Sequence, residues 1–394
     1  MPDPFVPVHD ESSIADDAPG RGPEEGIALC LSGGGYRAML FHLGALWYLS
    51  DAAILGRIDR ISSVSGGSIV AGILGMRWKE LTFDASGKAT NFADRIVPAV
   101  ARVASRTIDK GSIIGGILTP GTSIGDKLVG KYRELAFGTA TLQDLPDDRG
   151  AAVADGAHGP RFVINATNVQ SGVLFRFSKP YAWDYRVGKI PFPALPIADA
   201  VAASSSFPPV LSPARIDLSS YGFEPGSGTD LQHPPYTTRA VLTDGGVYDN
   251  LGLETAFKRY HTLLVSDGGG RMQPEEHPKS DWARHALRVN ALIDSQVRSL
   301  RKRQLVGSFK AKLRDGAYWG MWSDLSEYPD TIALRIPADR AAELARVPTR
   351  LAAMDEPLQS RLINFGYAMT ARAVRAFHDP GALDPAAFPR HGGI

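Results

Sequence analysis

A single cysteine, Cys30, is all the chain has. No internal disulfide can form, so the fold does not depend on an oxidising compartment. A dominant charge is missing too: 43 lysines and arginines face 42 acids. That balance leaves no global field to recruit nucleic acid, and attraction to an anionic surface must come from local clustering. No uninterrupted apolar run reaches the ~18 residues that span a bilayer. The longest candidate, Ala38 to Leu55, is broken by His42, Ser50 and Asp51. The amino terminus holds prolines and acids where a signal peptide needs a basic start and an apolar core. The nine histidines include no H-x-H or H-x-x-x-H pair, so no metal is expected. These absences predict a cytoplasmic chain with a loose first stretch.

What is present is an ordinary globular composition, 394 residues with 44% apolar and 22% charged side chains. From Gly26 onward, short β-like runs alternate with helical stretches, the texture of an α/β fold with a mostly parallel sheet. Ile27 to Leu31 reads as a buried strand, Tyr36 to Leu55 as a buried helix, Arg60 to Val64 as a second strand and Gly66 to Trp78 as a second helix. Residues 81–160 read as a helical insertion, with helices over Phe92 to Ile108 and Thr122 to Leu135 around a turn at Thr119-Pro120-Gly121. Strands resume at Arg161 to Thr167 and Val173 to Phe177, and again at Ala240 to Thr243 and Thr262 to Ser266. Residues 213–238, rich in Pro, Gly and Ser, read as a surface loop, and Asp281 to Leu313 as a long helix. The expected organisation is a flexible tail over 1–25, a main domain over 26–270, a helical region packed on it over 271–380, and a flexible end over 381–394.

Three motifs carry chemistry. Ser32-Gly33-Gly34-Gly35-Tyr36-Arg37-Ala38 lies between the first strand and first helix, where bare backbone N–H groups make an anion site. Alone it fits an oxyanion loop, a dinucleotide fingerprint with Asp51 18 residues after Gly33, or a packing turn equally well. Ser63-Val64-Ser65-Gly66-Gly67 then turns the second strand into the second helix, close to the G-x-S-x-G nucleophile elbow with Ser63 for the first glycine. A dinucleotide fold would end that strand in an acid; this one ends in Ser65. The competing use of Ser65 is as a helix N-cap. Third, Asp244-Gly245-Gly246 ends a strand, and on a parallel sheet its carboxyl edge would be shared with Ser65, 179 residues earlier. Asp267-Gly268-Gly269-Gly270 ends the next strand and offers a second candidate.

The combination of Gly-Gly-Gly-x-Arg, an elbow serine and a downstream Asp-Gly-Gly-Val-Tyr-Asp-Asn resembles the patatin-like phospholipases, whose core is shared with cytosolic phospholipase A2. The serine-rich segment Ala202 to Pro209 and Leu145-Pro146 add to the likeness, which runs from about Gly26 to Asp267. The resemblance implies a three-layer α/β/α fold with a central mostly parallel sheet and an additional C-terminal helical region. It implies Ser65 as nucleophile, Asp244 rather than Asp267 as its base, and an oxyanion hole from Gly33, Gly34 and Gly35 with Arg37 beside it. Such a Ser–Asp dyad needs no cofactor and no histidine, although His261 and His285 follow Asp244 in the chain order of a triad.

The expected function is a lipid acyl hydrolase cleaving carboxylic esters of glycerophospholipids through an acyl-enzyme. The rivals are a dinucleotide-binding oxidoreductase and a non-catalytic lipid-binding protein. Along the long helix Trp282, Ala286, Val289, Ile293, Val297 and Leu300 make one apolar stripe, and residues 295–314 contain no acid. Arg298, Arg301, Lys302 and Arg303 are therefore expected to face an anionic membrane. One alternative is a core-packed stripe with a solvated basic face; another is that the cations pair with acids such as Glu24, Glu25 or Asp147 and hold the helix to the core. No nucleic-acid partner is expected, and the sequence names no activating partner or small-molecule signal.

Overall fold

The computed structural model describes residues 23–108, 124–147 and 159–394. The loose amino-terminal stretch and the turn at Thr119-Pro120-Gly121 lie outside the described residues. The sheet contains β1 (Glu24–Leu31), β2 (Arg60–Val64), β3 (Arg161–Asn168), β4 (Leu174–Phe177), β5 (Tyr181–Asp184), β6 (Gly188–Pro191), β7 (Ala214–Asp217), β8 (Arg239–Asp244), β9 (Tyr260–Asp267) and β10 (Asp315–Gly320). Its main path runs β10-β9-β1-β2-β3-β4-β5-β6. The five strands from β10 to β3 are parallel, and β4, β5 and β6 continue antiparallel from β3.

Alternation along β1 shows the layers. Ile27, Leu29 and Leu31 point into the larger core, and Ala28 and Cys30 into a smaller one on the opposite face. The larger core holds α1 (Gly35–Asp51) and α2 (Gly66–Met76), reached directly from β1 and β2. The insertion supplies α3 (Phe92–Arg95), α4 (Val97–Ala104) and α5 (Ile124–Tyr132), and α6 (Ile197–Ser204) follows β6. The helix expected over Phe92 to Ile108 is thus broken at Ile96, one residue after the short α3. The smaller core is closed by Leu251, Leu253 and Ala256 and by Leu305 of α7 (Trp282–Lys310).

The carboxy-terminal region joins the larger core. After α8 (Ala338–Ala345), α9 (Glu356–Phe377) crosses α1 closely. A β-carbon at Gly44 would stand 1.9 Å from the Ile363 carbonyl oxygen, and one at Gly366 would stand 1.9 Å from that of Phe41. Two missing side chains let the helix backbones touch. Residues 381–394, expected to be a flexible end, fold back instead: Asn364 Nδ2 donates to the carbonyls of Arg390 and Gly393 at 2.9 and 2.7 Å. The segment 213–238, expected as loop throughout, contains β7, which pairs with β8.

The long helix lies mostly at the surface. Only Leu305 and Ser308 of α7 are buried. Its stripe faces solvent, with Trp282 at 85%, Ile293 at 55% and Leu300 at 56% exposure. The core-packed alternative for that stripe is therefore excluded. Among the described residues no helix is long and apolar enough to cross a membrane.

Candidate active site

The edge of β3 that faces β2 carries two strands in succession. Arg60 to Val64 of β2 lie parallel beside Arg161 to Asn165, and from Ala166 onward β8 takes over, running the opposite way. Val64 sits opposite Asn165 and Asp244 opposite Ala166. The two strands therefore meet end to end, each by its carboxyl terminus. The sequence pattern suggested that Asp244 shares a common carboxyl edge of parallel strands; the structure corrects this, because β8 is antiparallel to β3. Residue types and alternation carry no strand direction.

Ser65 comes after β2 in a strained turn, with φ 51° and ψ −118°, a combination costly for a residue with a β-carbon. Its side chain makes no capping hydrogen bond to α2. The N-cap alternative is thereby excluded. The turn is held from behind: Ser65 N–H donates to Ser204 Oγ at 3.0 Å, and that hydroxyl donates to the Asn165 carbonyl at 2.6 Å. Ser63, the departure from glycine, is fully buried and finds a partner in the Ser68 hydroxyl at 3.1 Å. The glycines after Ser65 serve close approach. A β-carbon at Gly66 would stand 2.1 Å from the Gly35 carbonyl oxygen, and one at Gly67 would stand 2.4 Å from that of Leu31.

Asp244 is buried. Its Oδ1 accepts the Gly246 N–H at 2.8 Å, and Oδ2 has no hydrogen-bond partner of regular geometry. Burial pushes the carboxyl pKa up to about 7; the Ser65 hydroxyl and the Gly246 N–H pull it the other way. A carboxyl so placed can take up a proton near neutral pH. The serine-rich segment supports it as well, since Asp244 N–H donates to the Ser206 carbonyl and Gly245 N–H to that of Ser204.

Asp267 contrasts with it. Burial again raises its pKa, but Arg298, the Tyr318 hydroxyl, the Gly269 N–H and Lys302 outweigh burial and hold it below its ordinary value. Tyr318 Oη donates to Oδ2 at 2.8 Å, and Arg298 Nη2 lies 3.3 Å from the same oxygen. Asp267 is a fixed anion inside an ion pair, a poor proton acceptor.

The glycine loop divides its donors. Gly33 N–H is committed to the Asn250 carbonyl at 3.0 Å. The N–H groups of Gly34, Gly35 and Gly66 have no acceptor among the described residues. Arg37 does not stand beside the reacting space as expected. Its Nη1 donates to the carbonyls of Ala345 and Val347 at 3.0 and 2.6 Å, and its Nη2 to that of Gly268 at 3.0 Å. It anchors the chain after α8 to the loop. Asn250 and His42 were not singled out from sequence. Asn250 closes the Asp-Gly-Gly-Val-Tyr-Asp-Asn run, the only signal for it. The buried His42 places Nε2 3.0 Å from the Ser32 carbonyl and Nδ1 2.8 Å from Ser266 Oγ. With a carbonyl at Nε2, that nitrogen carries a proton; burial lowers the ring's pKa to about 4, so it is neutral and Nδ1 accepts from the Ser266 hydroxyl.

The other candidates lie elsewhere. His261 is at the start of β9, away from the carboxyl end, and His285 is on the exposed turn of α7. Asp51 ends α1, at the far end from the glycine loop, paired with Lys88 at 2.9 Å and with the Tyr367 hydroxyl at 3.0 Å. Among the described residues neither a histidine triad nor a ribose-binding acid is assembled. Arg298 is turned to Asp267, Arg301 lies 2.8 Å from Glu254 Oε2 and 3.6 Å from Asp249 Oδ1, and Lys302 Nζ sits 4.6 Å above the Tyr318 ring. These cations pin α7 to the body, which corrects the expectation that they face a membrane. The acids they meet are not Glu24, Glu25 or Asp147; Asp147 pairs with Arg161. Arg303 alone of the four is exposed, with Nε on the Ser299 carbonyl. Among the described residues no cluster of histidine, cysteine and acid could hold a metal.

Residues 29–257 match the family model for patatin-like phospholipase. No curated protein matches the chain. Among solved structures, human GIVD cytosolic phospholipase A2 is 12% identical over 89% of this chain and 61% of its own, with a TM-score of 0.48. The same human protein in complex with methyl gamma-linolenyl fluorophosphonate gives 14%, 89%, 58% and 0.49. VipD from Legionella pneumophila is 15% identical over 89% of this chain and 66% of its own, with a TM-score of 0.35. The chain spans about three-fifths of the human protein's length.

Proposed function

The chain belongs to the patatin-like phospholipase family, and we propose that it hydrolyses carboxylic esters of lipids, glycerophospholipids foremost, through Ser65 and Asp244. Ser65 Oγ attacks the ester carbonyl carbon as Asp244 takes the hydroxyl proton. The N–H groups of Gly34, Gly35 and Gly66 hold the oxyanion, in place of the set expected from Gly33, Gly34, Gly35 and Arg37. Asp244 returns the proton to the leaving alcohol, and the acyl group stays on Ser65. Water then attacks the acyl-enzyme and gives a proton to Asp244. Collapse releases the fatty acid, and that proton restores the Ser65 hydroxyl.

The observation that carries this reading is the end-to-end meeting of β2 and β8, which sets a strained serine against a carboxyl whose pKa burial raises to about 7. The test is covalent capture. A fluorophosphonate probe is expected to label the protein at Ser65, and Ser65→Ala is expected to lose both the label and fatty-acid release from phospholipid micelles. Wild-type protein that binds lipid but takes no label would sink the reading and leave a lipid-binding protein on the same fold.

A further inference from the structure

Three segments without a single acid converge on the outer side of the glycine loop: residues 95–108, 268–274 and 344–354. Their contacts bring them together. Tyr36 N–H donates to the Arg350 carbonyl at 3.0 Å, and the Tyr36 hydroxyl to the Arg106 carbonyl at 3.0 Å. A β-carbon at Gly35 would stand 2.6 Å from the Arg350 carbonyl oxygen. Arg37 ties Ala345 and Val347, on either side of Arg346, to Gly268. Gly270, which precedes Arg271, comes near Thr349. Ile108 N–H donates to the Leu351 carbonyl at 2.8 Å, and Ala353 N–H to Thr107 Oγ1 at 3.0 Å.

Arg106, Arg271, Arg346 and Arg350 are all exposed, and none has an ion-pair partner among the described residues. Described acids near Arg271, Arg346 and Arg350 along the chain are engaged elsewhere. Glu275 pairs with Arg288, Glu343 with Arg340 and Arg361, and Asp355 caps α9 by accepting the Leu358 N–H. In a chain of net charge +1 this is a local surplus of positive charge. It borders Gly35, whose N–H is one of the unengaged donors.

We infer that these arginines form a subsite for a phosphate-bearing head group, held on the outer side of the glycine loop while the acyl ester lies over Ser65. This inference rests on the ester-hydrolase reading and adds which part of the substrate meets which side of the mouth. Guanidinium forks suit phosphate oxygens through paired N–H donors, which a diffuse surface charge does not require. Arg350 and Arg106 carry the assignment most directly, because their carbonyls are fixed by Tyr36, the residue next to Gly35.

The test uses monomeric substrates, so that no lipid surface takes part. Kinetics on dihexanoyl-phosphatidylglycerol, kept below its micelle concentration, are compared with kinetics on neutral p-nitrophenyl butyrate. In the double variant Arg106→Gln/Arg350→Gln the ratio of kcat/KM for the anionic over the neutral ester is expected to fall at least tenfold. Arg335→Gln, on an exposed residue away from the loop, keeps the wild-type ratio. An unchanged ratio in the double variant overturns the inference. So does a loss seen on anionic vesicles but not on monomers, which would make the arginines a surface-docking patch. Inorganic phosphate binding as tightly as the short-chain lipid would assign the site to the free ion and overturn it also. If wild-type protein hydrolyses neither ester, the hydrolase reading fails by itself. Calorimetric binding of the same lipid to wild type and double variant then still decides whether the arginines hold the phosphate.

Discussion

Gly66 rests against Gly35 so closely that a β-carbon on Gly66 would stand 2.1 Å from the Gly35 carbonyl oxygen. The elbow and the glycine loop are thus in backbone contact, and two of the three proposed oxyanion donors belong to this pair. Gly66→Ala is expected to separate them. One lost donor costs about 10²–10³ in turnover in comparable sites, so kcat should fall about a hundredfold or more. Steady-state kinetics on a soluble ester check this; a variant with full kcat would show that the contact only packs.

Asp244 sets the pH dependence. With the free carboxyl near pKa 7, kcat/KM should rise with pH and level off above that value. Asp244→Asn keeps the shape, removes the proton acceptor and should abolish hydrolysis, with Asp267→Asn far milder. Equal losses in the two variants would remove the distinction drawn between them.

The same shift has a consequence for stability. The folded pKa lies above the ordinary 3.8, so between about pH 4 and 7 the folded chain holds a proton that the unfolded chain has released. Stability from this group is fully present below pH 4 and declines as pH rises toward 7. Above pH 7 the protein carries a buried anion, and Asn at 244 relieves it. Thermal melts should show Asp244→Asn more stable than wild type at pH 8, by on the order of a few kcal/mol, and no such gain at pH 4.

His42 is expected to act on the loop from behind. Burial lowers its pKa to about 4, so it stays neutral across the working range and adds no inflection near pH 6. Removing it in His42→Ala leaves the Ser32 carbonyl with the Gly67 N–H alone, strands the Ser266 hydroxyl and opens a cavity in the core, at a cost of roughly 2–4 kcal/mol. The melting temperature should drop and kcat should fall, while the pH profile keeps its shape. A shifted profile would show instead that the ring exchanges protons during the reaction.

Arg301, Lys302 and Arg303 give a further check. Because Arg301 meets Glu254 and Asp249, replacing all three by Gln should destabilise the protein by roughly 1–3 kcal/mol and leave binding to anionic vesicles unchanged. Vesicle co-sedimentation together with a thermal melt measures both. Lost vesicle binding at unchanged stability would restore the docking role that the ion pairs argue against.

Much of this site was legible in the chain itself. The span Arg60–Val64 agrees residue for residue with β2, because the β-branched Ile61 and Val64 stand between Asp59 and the turn at Ser65-Gly66-Gly67. Ser65 and Asp244 are each succeeded by two glycines, residues that only a tight turn or close contact requires, and this marked both positions. Other features were hidden for physical reasons. Hydrophobic alternation is the same for a strand read in either direction, so the antiparallel course of β8 left no mark. Arg37 stands four residues from Gly33 in sequence, yet the first turn of α1 carries its side chain to Ala345, Val347 and Gly268. The four residues of β7 lie within a Pro- and Gly-rich stretch whose composition speaks for loop. The cations of α7 formed a visible run, but a run of charge does not say where its counter-ions are.

The end-to-end junction on β3 makes one strand the common ruler for both halves of the chemistry. Ser65 and Asp244 are far apart in the chain, yet both are aligned from β3, which lies between them in sequence: Val64 is set by Asn165 and Asp244 by Ala166. Lengthening the exposed turn at Pro225-Gly226 would leave that alignment in place. A single residue inserted between Asn165 and Ala166 would instead carry β8 one step outward and turn its side chains to the opposite face, sending Asp244 away from the serine while every loop remained intact.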